Sequence, residues 1–360
     1  MEYTIKTEVT KQSRIETLDF DNIPFGRAFS DHMFVADYID GEWTNFTIQP
    51  YGDISFSPAL MALHYGQAIF EGMKASINAQ GEPLLFRPEE HAKRLNISAI
   101  RMGMPAFPEE AFVKALEQLV WLDRQWIPKR SDSALYLRPF MFASDEYIGV
   151  KPSNKYKMII FTCPVGPYYS NPVKLLTANH YMRAVKGGIG FAKAAGNYAA
   201  TLQPMKEANA QGYDQIMWMS PDFKYIQECG TMNLFFVIDG VVITPPTEDG
   251  TILKGITRDS FIAMLKAKGQ QVEERPLSID EVVEASKNGT LQDAFGTGTA
   301  AVVAPVAEIR YQDIDIVLPA LETRTISAAL KAQLNGLRNG SIEDTFGWTH
   351  PVQNPIATTV

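Results

Sequence analysis

GGIGFAKAAGNYAAT, residues 187–201, sets a single cation, Lys193, among glycines and alanines and closes on Asn197 and Tyr198. Small neighbours let a bulky planar ligand come close to the amine. They also leave it partly desolvated, which lowers a lysine pKa and makes the amine a usable nucleophile. Such a lysine suits covalent chemistry with a carbonyl. A surface lysine in a glycine-rich loop has the same local sequence, because lysine is ordinarily exposed. A nucleotide loop fits less well, since GGIGFAK has neither Walker-A spacing nor a GxGxxG run leading into a helix. The rest of the chain has to decide.

The 360 residues suffice for two domains and more than one core. There are 33 basic and 41 acidic residues, a net charge of −8, and no basic run. That balance argues against nucleic acid and anionic membrane surfaces as partners. No apolar run approaches the ~20 residues that span a bilayer. The opening MEYTIKTEVTKQSRIETLDFD mixes acids with bases and lacks an apolar core, so it reads as neither a signal nor a transit peptide. Cys163 and Cys229, the only cysteines, form no zinc or CxxC pattern and are expected to be buried, reduced thiols. No metal is expected, and the working class is a soluble cytoplasmic protein.

Alternating stretches at Met33–Tyr38 and Trp43–Ile48, joined by Asp40-Gly41, read as strands, and Leu84–Phe86 as a short one. Pro58–Gly72 has a helix-like middle followed by an apolar stretch. The spacing predicts a helix from Pro88 to about Met102, with Glu89 and Glu90 at the positive end of its dipole. His91, Leu95, Ser98, Ala99 and Met102 share one face with Arg94. An inward arginine needs an anion, either a structural partner or a ligand, unless it snorkels at a rim. A second helix is predicted over Glu109–Trp126. Leu135–Phe142 reads as a strand with Tyr136 and Arg138 opposite Leu135 and Leu137, and Met158–Thr162 as another.

The Pro/Gly-rich PVGPYYSNP (164–172) marks a domain boundary. Residues 1–165 are expected to form a smaller N-terminal α/β domain with an arm, 166–172 a connecting loop, and 173–360 a larger domain. In the second half, Gln215–Met219, Leu234–Ile238 and Val241–Thr244 read as strands, the last two as a hairpin. Gly255–Gly269 reads as a helix with Thr257 as N-cap. A further helix starts near Ser278, Leu291–Phe295 is a strand entering GTGTAA, and a last helix covers about Leu321–Leu337.

Three segments resemble parts of one phosphate site. A helix start at Thr257 favours an anion, Gly298-Thr299-Ala300 offers amides and a hydroxyl in a turn, and Arg94 adds a fixed charge. With a lysine nucleophile they point to a phosphorylated carbonyl cofactor such as pyridoxal 5′-phosphate (PLP). That cofactor needs an acid beside its pyridine nitrogen. Glu228, in YIQECGTMN (225–233), is the candidate, conspicuous among neutral neighbours; a surface glutamate in a hairpin turn is the bland reading.

The chain resembles the fold-type IV PLP enzymes and, more narrowly, the branched-chain amino acid aminotransferases. The matching segments run in family order: LHYGQAIFEGMKA (63–75), LFRPEEHAKRL (85–95), LYLRPF (135–140), PVGPYY (164–169), FAKAAGNYAATL (191–202), ECGTMNLFFV (228–237), ILKGITRDS (252–260) and GTGTAAVVAPV (296–306). The resemblance implies a two-domain α/β (α+β) fold, the larger domain carrying a barrel-like sheet, and a homodimer. It implies transamination of leucine, isoleucine and valine with 2-oxoglutarate in a ping-pong cycle. It further implies Lys193 as Schiff-base lysine, Glu228 at the pyridine nitrogen and Tyr198 at the phenolic oxygen. Arg94, Ile256, Thr257 and Thr299 would hold the phosphate. Tyr136, Thr299 and Ala300 would orient the substrate α-carboxylate, and Arg138 would take the distal carboxylate of glutamate. Phe70, Tyr168 and Tyr198 would line the side-chain pocket, with Tyr65 reaching in from a second subunit. A D-amino acid aminotransferase, an aminodeoxychorismate lyase and a non-catalytic PLP-binding protein are the other readings. The CXXC redox pair of the mammalian members is missing, so a thiol switch of that kind is not expected.

Overall fold

Alternation and turn chemistry place most strands where the sequence predicts them. A computed structural model describes residues 3–130, 132–169 and 171–354. Two compact units form. One takes the chain up to Tyr168, Ala192–Ala195 and the residues from Asn335 onward; the other takes Tyr169–Phe191 and Gly196–Leu334. Lys193 therefore groups with the first unit, inside a short segment whose flanking stretches, Tyr169–Phe191 and Gly196–Leu334, belong to the second.

The first unit is built on one sheet. Its strands are β1 (Lys6–Thr7), β2 (His32–Ile39), β3 (Glu42–Pro50), β4 (Ala68–Phe70), β5 (Met73–Ile77), β6 (Pro83–Phe86), β7 (Ala134–Ala143) and β8 (Tyr156–Val165). They lie in the order β1-β3-β2-β8-β7-β5-β6, followed by the late strand Thr349–Pro351, and β4 pairs separately with β7. All pairings are antiparallel except β1 along β3. The hairpin β2–β3 turns at Asp40-Gly41, both with positive φ, as the Asp-Gly pair dictates. Helix α1 (Met61–Tyr65) is short, and α2 (Pro88–Arg101) packs on α3 (Glu109–Leu122). The inward face of α2 is His91, Arg94, Leu95, Ser98 and Ala99, all buried. Helix α3 ends at Leu122, short of the predicted Trp126. The cause is Asp123, whose carboxylate accepts bonds from the His32 amide (3.0 Å) and imidazole (2.6 Å) and so ties the chain to β2.

The second unit is a barrel with helices around it. Its strands are β9 (Val173–Thr177), β10 (Gln215–Met219), β11 (Ile226–Cys229), β12 (Met232–Ile238), β13 (Val241–Thr244), β14 (Val272–Glu274), β15 (Leu291–Gly298), β16 (Val302–Tyr311) and β17 (Ile314–Val317). The sequence of neighbours β11-β10-β9-β16-β15-β12 closes on itself because β12 also pairs with β11. Closure removes the free edges that an open sheet must protect. Phe235 and Phe295, opposite each other on β12 and β15, stack at 5.3 Å and are fully buried. Burying each such ring contributes roughly 1.5–3 kcal/mol.

Helices α4 (Ala195–Ala199), α5 (Leu202–Ala210), α6 (Ile256–Ala267), α7 (Ile279–Lys287) and α8 (Thr325–Arg338) complete the chain. Two helix starts differ from expectation. Helix α6 begins at Ile256 with Gly255 as N-cap, so Thr257 lies inside the first turn and does not cap it. The last helix begins at Thr325, after a 3-10 turn at Leu321–Thr323. There the Arg324 guanidinium bonds the carbonyls of Pro319 and Val306, each at 2.7 Å, and pins the preceding loop to β16. Among the described residues no helix is long and apolar enough to cross a membrane.

Candidate active site

Lys193 is held by its backbone. Its N–H donates to Ser98 Oγ (2.9 Å), and its carbonyl accepts from the Phe70 amide (3.0 Å). Ala194 bridges Ile69 of β4. The small residues of FAKAA allow this close apposition: Ala192 and Ala194 are both buried. The side chain is then presented to β4, where Nζ lies 4.7 Å from the centroid of the Phe70 ring. The glycine- and alanine-rich surround therefore positions a half-buried lysine and does not form a surface loop.

The same ring carries a second cation. Arg138 Cζ lies 4.7 Å from the Phe70 centroid, and Arg138 Nη2 donates to Tyr136 Oη at 3.0 Å. The two residues share one face of β7, as the period-two alternation requires. Tyr136 stands close to the chain at Gly72, where a Cβ would lie 2.1 Å from its hydroxyl. Any side chain there would have to displace the Tyr136 ring. Arg138 Nε is buried without a hydrogen-bond partner. An unsatisfied buried donor costs about 1–3 kcal/mol, so it calls for an acceptor that a ligand can supply. Phe25, which the sequence reading did not single out, packs against Tyr136 (6.1 Å) and edge-on to Tyr168 (4.8 Å). Tyr168 and Tyr65 are exposed, Tyr65 at the end of α1.

Arg94 faces inward from α2 and does have a protein partner, which the sequence reading left open. Its Nε and Nη2 donate to the two oxygens of Glu71 at 2.8 and 2.7 Å. His91 Nδ1, one turn earlier on α2, lies 2.8 Å from Glu71 Oε2. Glu71 is fully buried. Burial pushes its pKa up, but the Arg94 guanidinium and the His91 bond outweigh this and hold the carboxyl well below the usual range. The signal was present as a lone acid in the apolar run AIFEGM (68–73).

The second unit holds the other candidates. Glu228, on β11, is buried and not in a surface turn. Its surroundings are not neutral, contrary to the sequence reading: Arg183 Nε pairs with Oε2 at 2.8 Å. Oε1 accepts from Asn233 Nδ2 (3.0 Å) and from the Leu253 amide (3.1 Å). Arg183 was overlooked because it sits far from Glu228 along the chain, and only the folding of the second unit unites them. Asn233 in turn crowds Gly255, where a Cβ would come within 2.0 Å of its Oδ1. Glycine there gives α6 a start with no side-chain cap, so the opening amides at Ile256 and Thr257, both buried, are available to an anion. Thr299 and Ala300 form the turn between β15 and β16, which ends at Val302 with φ 62°. Tyr198 lies on α4, half-buried.

The first unit thus offers a half-buried lysine and an arginine with an unsatisfied Nε, and the second unit a charge-paired buried carboxylate and an uncapped helix start. Residues 68–309 match the family described as Amino-transferase class IV. Branched-chain-amino-acid aminotransferase 2 of Bacillus subtilis is 45% identical over 354 residues, 97% of each chain. Among solved structures, the branched-chain amino acid aminotransferase from Escherichia coli is 27% identical, with a TM-score of 0.72 over 90% of this chain and 99% of that one. The branched-chain aminotransferase from the thermophilic archaeon Thermoproteus uzoniensis, solved with norvaline, is also 27% identical, with a TM-score of 0.73 over 89% of this chain and 100% of that one. The chain belongs to the class IV aminotransferase family and, within it, to the branched-chain amino acid aminotransferases. It is a PLP-dependent transferase of fold type IV.

Proposed function

We propose that the protein moves the amino group of leucine, isoleucine and valine to 2-oxoglutarate, giving branched-chain 2-oxo acids and L-glutamate. The observation that carries this reading is the Phe70 ring, with the Lys193 amine and the Arg138 guanidinium each 4.7 Å from its centroid. An apolar wall beside the amine suits a branched side chain, and a guanidinium with an unsatisfied Nε suits the distal carboxylate of glutamate.

The residues fit PLP within each unit. In the second unit, Glu228 is a fixed anion suited to a protonated ring nitrogen, and the uncapped start of α6 at Ile256 and Thr257, with Thr299, suits a phosphate. In the first, Lys193 is the covalent attachment point and Arg94 adds a phosphate contact. Tyr198 takes the phenolic oxygen. Bound PLP supplies the electron sink that lets the substrate Cα–H ionise. The chain does the rest. Tyr136, with Thr299 and Ala300, orients the α-carboxylate, and Arg138 holds the distal one. Phe70, Tyr168 and Tyr198 line the space for the substrate side chain. The Lys193 amine, carried on a fixed backbone, would act as the general base that takes the substrate Cα proton and delivers it to the cofactor's C4′ carbon.

A cytoplasmic homodimer, with Tyr65 of one copy reaching the pocket of the other, and a division into domains at 166–172 belong to the same reading. The test is the amino-donor profile of the purified protein with 2-oxoglutarate. L-leucine, L-isoleucine and L-valine should serve as donors, and a preference for D-amino acids would overturn the reading. Borohydride reduction of the PLP-loaded protein followed by peptide mapping should place the pyridoxyl label on Lys193; label on another lysine would remove Lys193 from its role.

A further inference from the structure

Glu71 has no part in the roles assigned above, yet its carboxylate and its backbone are both committed. Its backbone N–H donates to Pro139 O on β7 at 2.7 Å, one residue after the Phe70 N–H meets Lys193 O. The chain is therefore pinned on both sides of the Phe70–Glu71 peptide. Phe70 offers its ring to Lys193 and Arg138, while Glu71 offers its carboxylate to Arg94 and His91.

A side-on pair through Nε and Nη2 fixes the plane of a guanidinium and directs its remaining Nη1 edge away from the carboxylate. An arginine stem otherwise has rotamer freedom to lose before it can grip anything. His91 does the same service for Glu71. Burial disfavours the charged imidazole, so the neutral ring donates through Nδ1 to Glu71 Oε2. Ser98 completes the frame: its Oγ donates to Arg94 O at 3.0 Å and accepts from Lys193 N at 2.9 Å. One turn of α2 thus carries both the phosphate-gripping arginine and the support of the reactive lysine.

We propose that Glu71 is a positioning residue for cofactor binding, acting through Arg94 to hold its guanidinium ready for the phosphate, with His91 holding Glu71. This rests on the reading that Arg94 contacts the PLP phosphate. A buried ion pair that served stability alone would weaken every ligand alike when broken. One that orients Arg94 weakens only ligands that carry the phosphate.

The experiment titrates apoprotein with PLP and with pyridoxal, which lacks the phosphate, and follows binding by absorbance. The readout is the dissociation constant of pyridoxal divided by that of PLP. Glu71→Gln keeps the shape and removes one charge-assisted bond, so PLP affinity should fall about ten- to a hundredfold. Pyridoxal affinity should stay within a few-fold of the parent. His91→Gln, which leaves the ion pair in place, should shift the ratio the same way by less, and it serves if Glu71→Gln does not fold. Arg94→Gln should lower the ratio at least as far, and the double variant no further than Arg94→Gln alone. An unchanged ratio in Glu71→Gln and His91→Gln, with a lowered one in Arg94→Gln, overturns the proposal and leaves Arg94 as a phosphate contact. An unchanged ratio in Arg94→Gln overturns both.

Discussion

Replacing Arg138 by glutamine should separate the two half-reactions. Besides the 3.0 Å bond to Tyr136 Oη, whose loss falls on both half-reactions, two interactions are lost with the guanidinium. One is its contact with the Phe70 ring at 4.7 Å, worth about 0.5–2 kcal/mol. Phe70 is a wall for either side chain, so that loss burdens the leucine and glutamate half-reactions equally. The other is the bond to a distal carboxylate, for which the unpartnered Arg138 Nε is the available donor. A hydrogen bond to a charged group contributes about 1.5–3 kcal/mol, roughly ten- to a hundredfold in rate or affinity. Leucine has nothing to offer it. The ratio of the glutamate to the leucine half-reaction should therefore fall by about ten- to a hundredfold. Single-turnover absorbance measurements of each half-reaction are the assay, because steady-state rates of a ping-pong cycle mix the two. Equal losses in both half-reactions would refute the argument. They would mean that Arg138 only holds Tyr136, through the 3.0 Å bond between them.

Gly72→Ala places a methyl 2.1 Å from the Tyr136 hydroxyl; it should cost about 1–3 kcal/mol in thermal unfolding and raise KM for amino acids more than it lowers kcat. Unaltered KM would show that Tyr136 can move at no functional cost. His350 binds Glu117 (2.7 Å) and Glu89 (3.0 Å), and mainly the Glu117 bond raises its pKa above 6.5. A raised folded value means that its contribution, about 1 kcal/mol or less for a partly exposed pair, is complete below the unfolded value and is lost as pH rises through the folded one. The Tm gap between the parent and His350→Gln should accordingly be present in acid and vanish in alkali; a gap that widens with pH would reverse the assignment. Burial raises Cys163 to about 11 and also raises Cys229, so neither thiol should react with a disulfide reagent near neutrality until the protein is unfolded. Rapid reaction in the native state would contradict that burial.

Strands were legible as short apolar or alternating runs bounded by turn residues, because that signal is local. Leu135–Phe142 and Gln215–Met219 needed no knowledge of their partners. Boundaries set by distant groups were not legible. Helix α3 stops where Asp123 meets His32, and α8 waits until Arg324 has bonded Pro319 and Val306. The site divides the same way. Lys193 and Glu228 stand out from their immediate neighbours, small in one case and uncharged in the other. Glu71 and Arg183 carry no local mark beyond being single charges in their own short stretches. Their meaning lies in which opposite charge the fold delivers to them, and no spacing rule supplies that. Thr257 shows the converse. Its type suggested a cap, but Asn233 crowding Gly255 decided that glycine takes the cap position.

On the proposed assignment, Lys193 would let go of its cofactor and later recover it, and so would face a search. Here the main chain on both sides of Lys193 is held, the amide by Ser98, the carbonyl by Phe70 and the next residue by its bridge to Ile69. Release therefore frees side-chain torsions and no backbone. The amine swings from an anchored pivot, so the volume it explores while detached is that of one lysine stem, and its return needs no refolding step. Repeated turnover is a matter of a tethered reagent with a short leash.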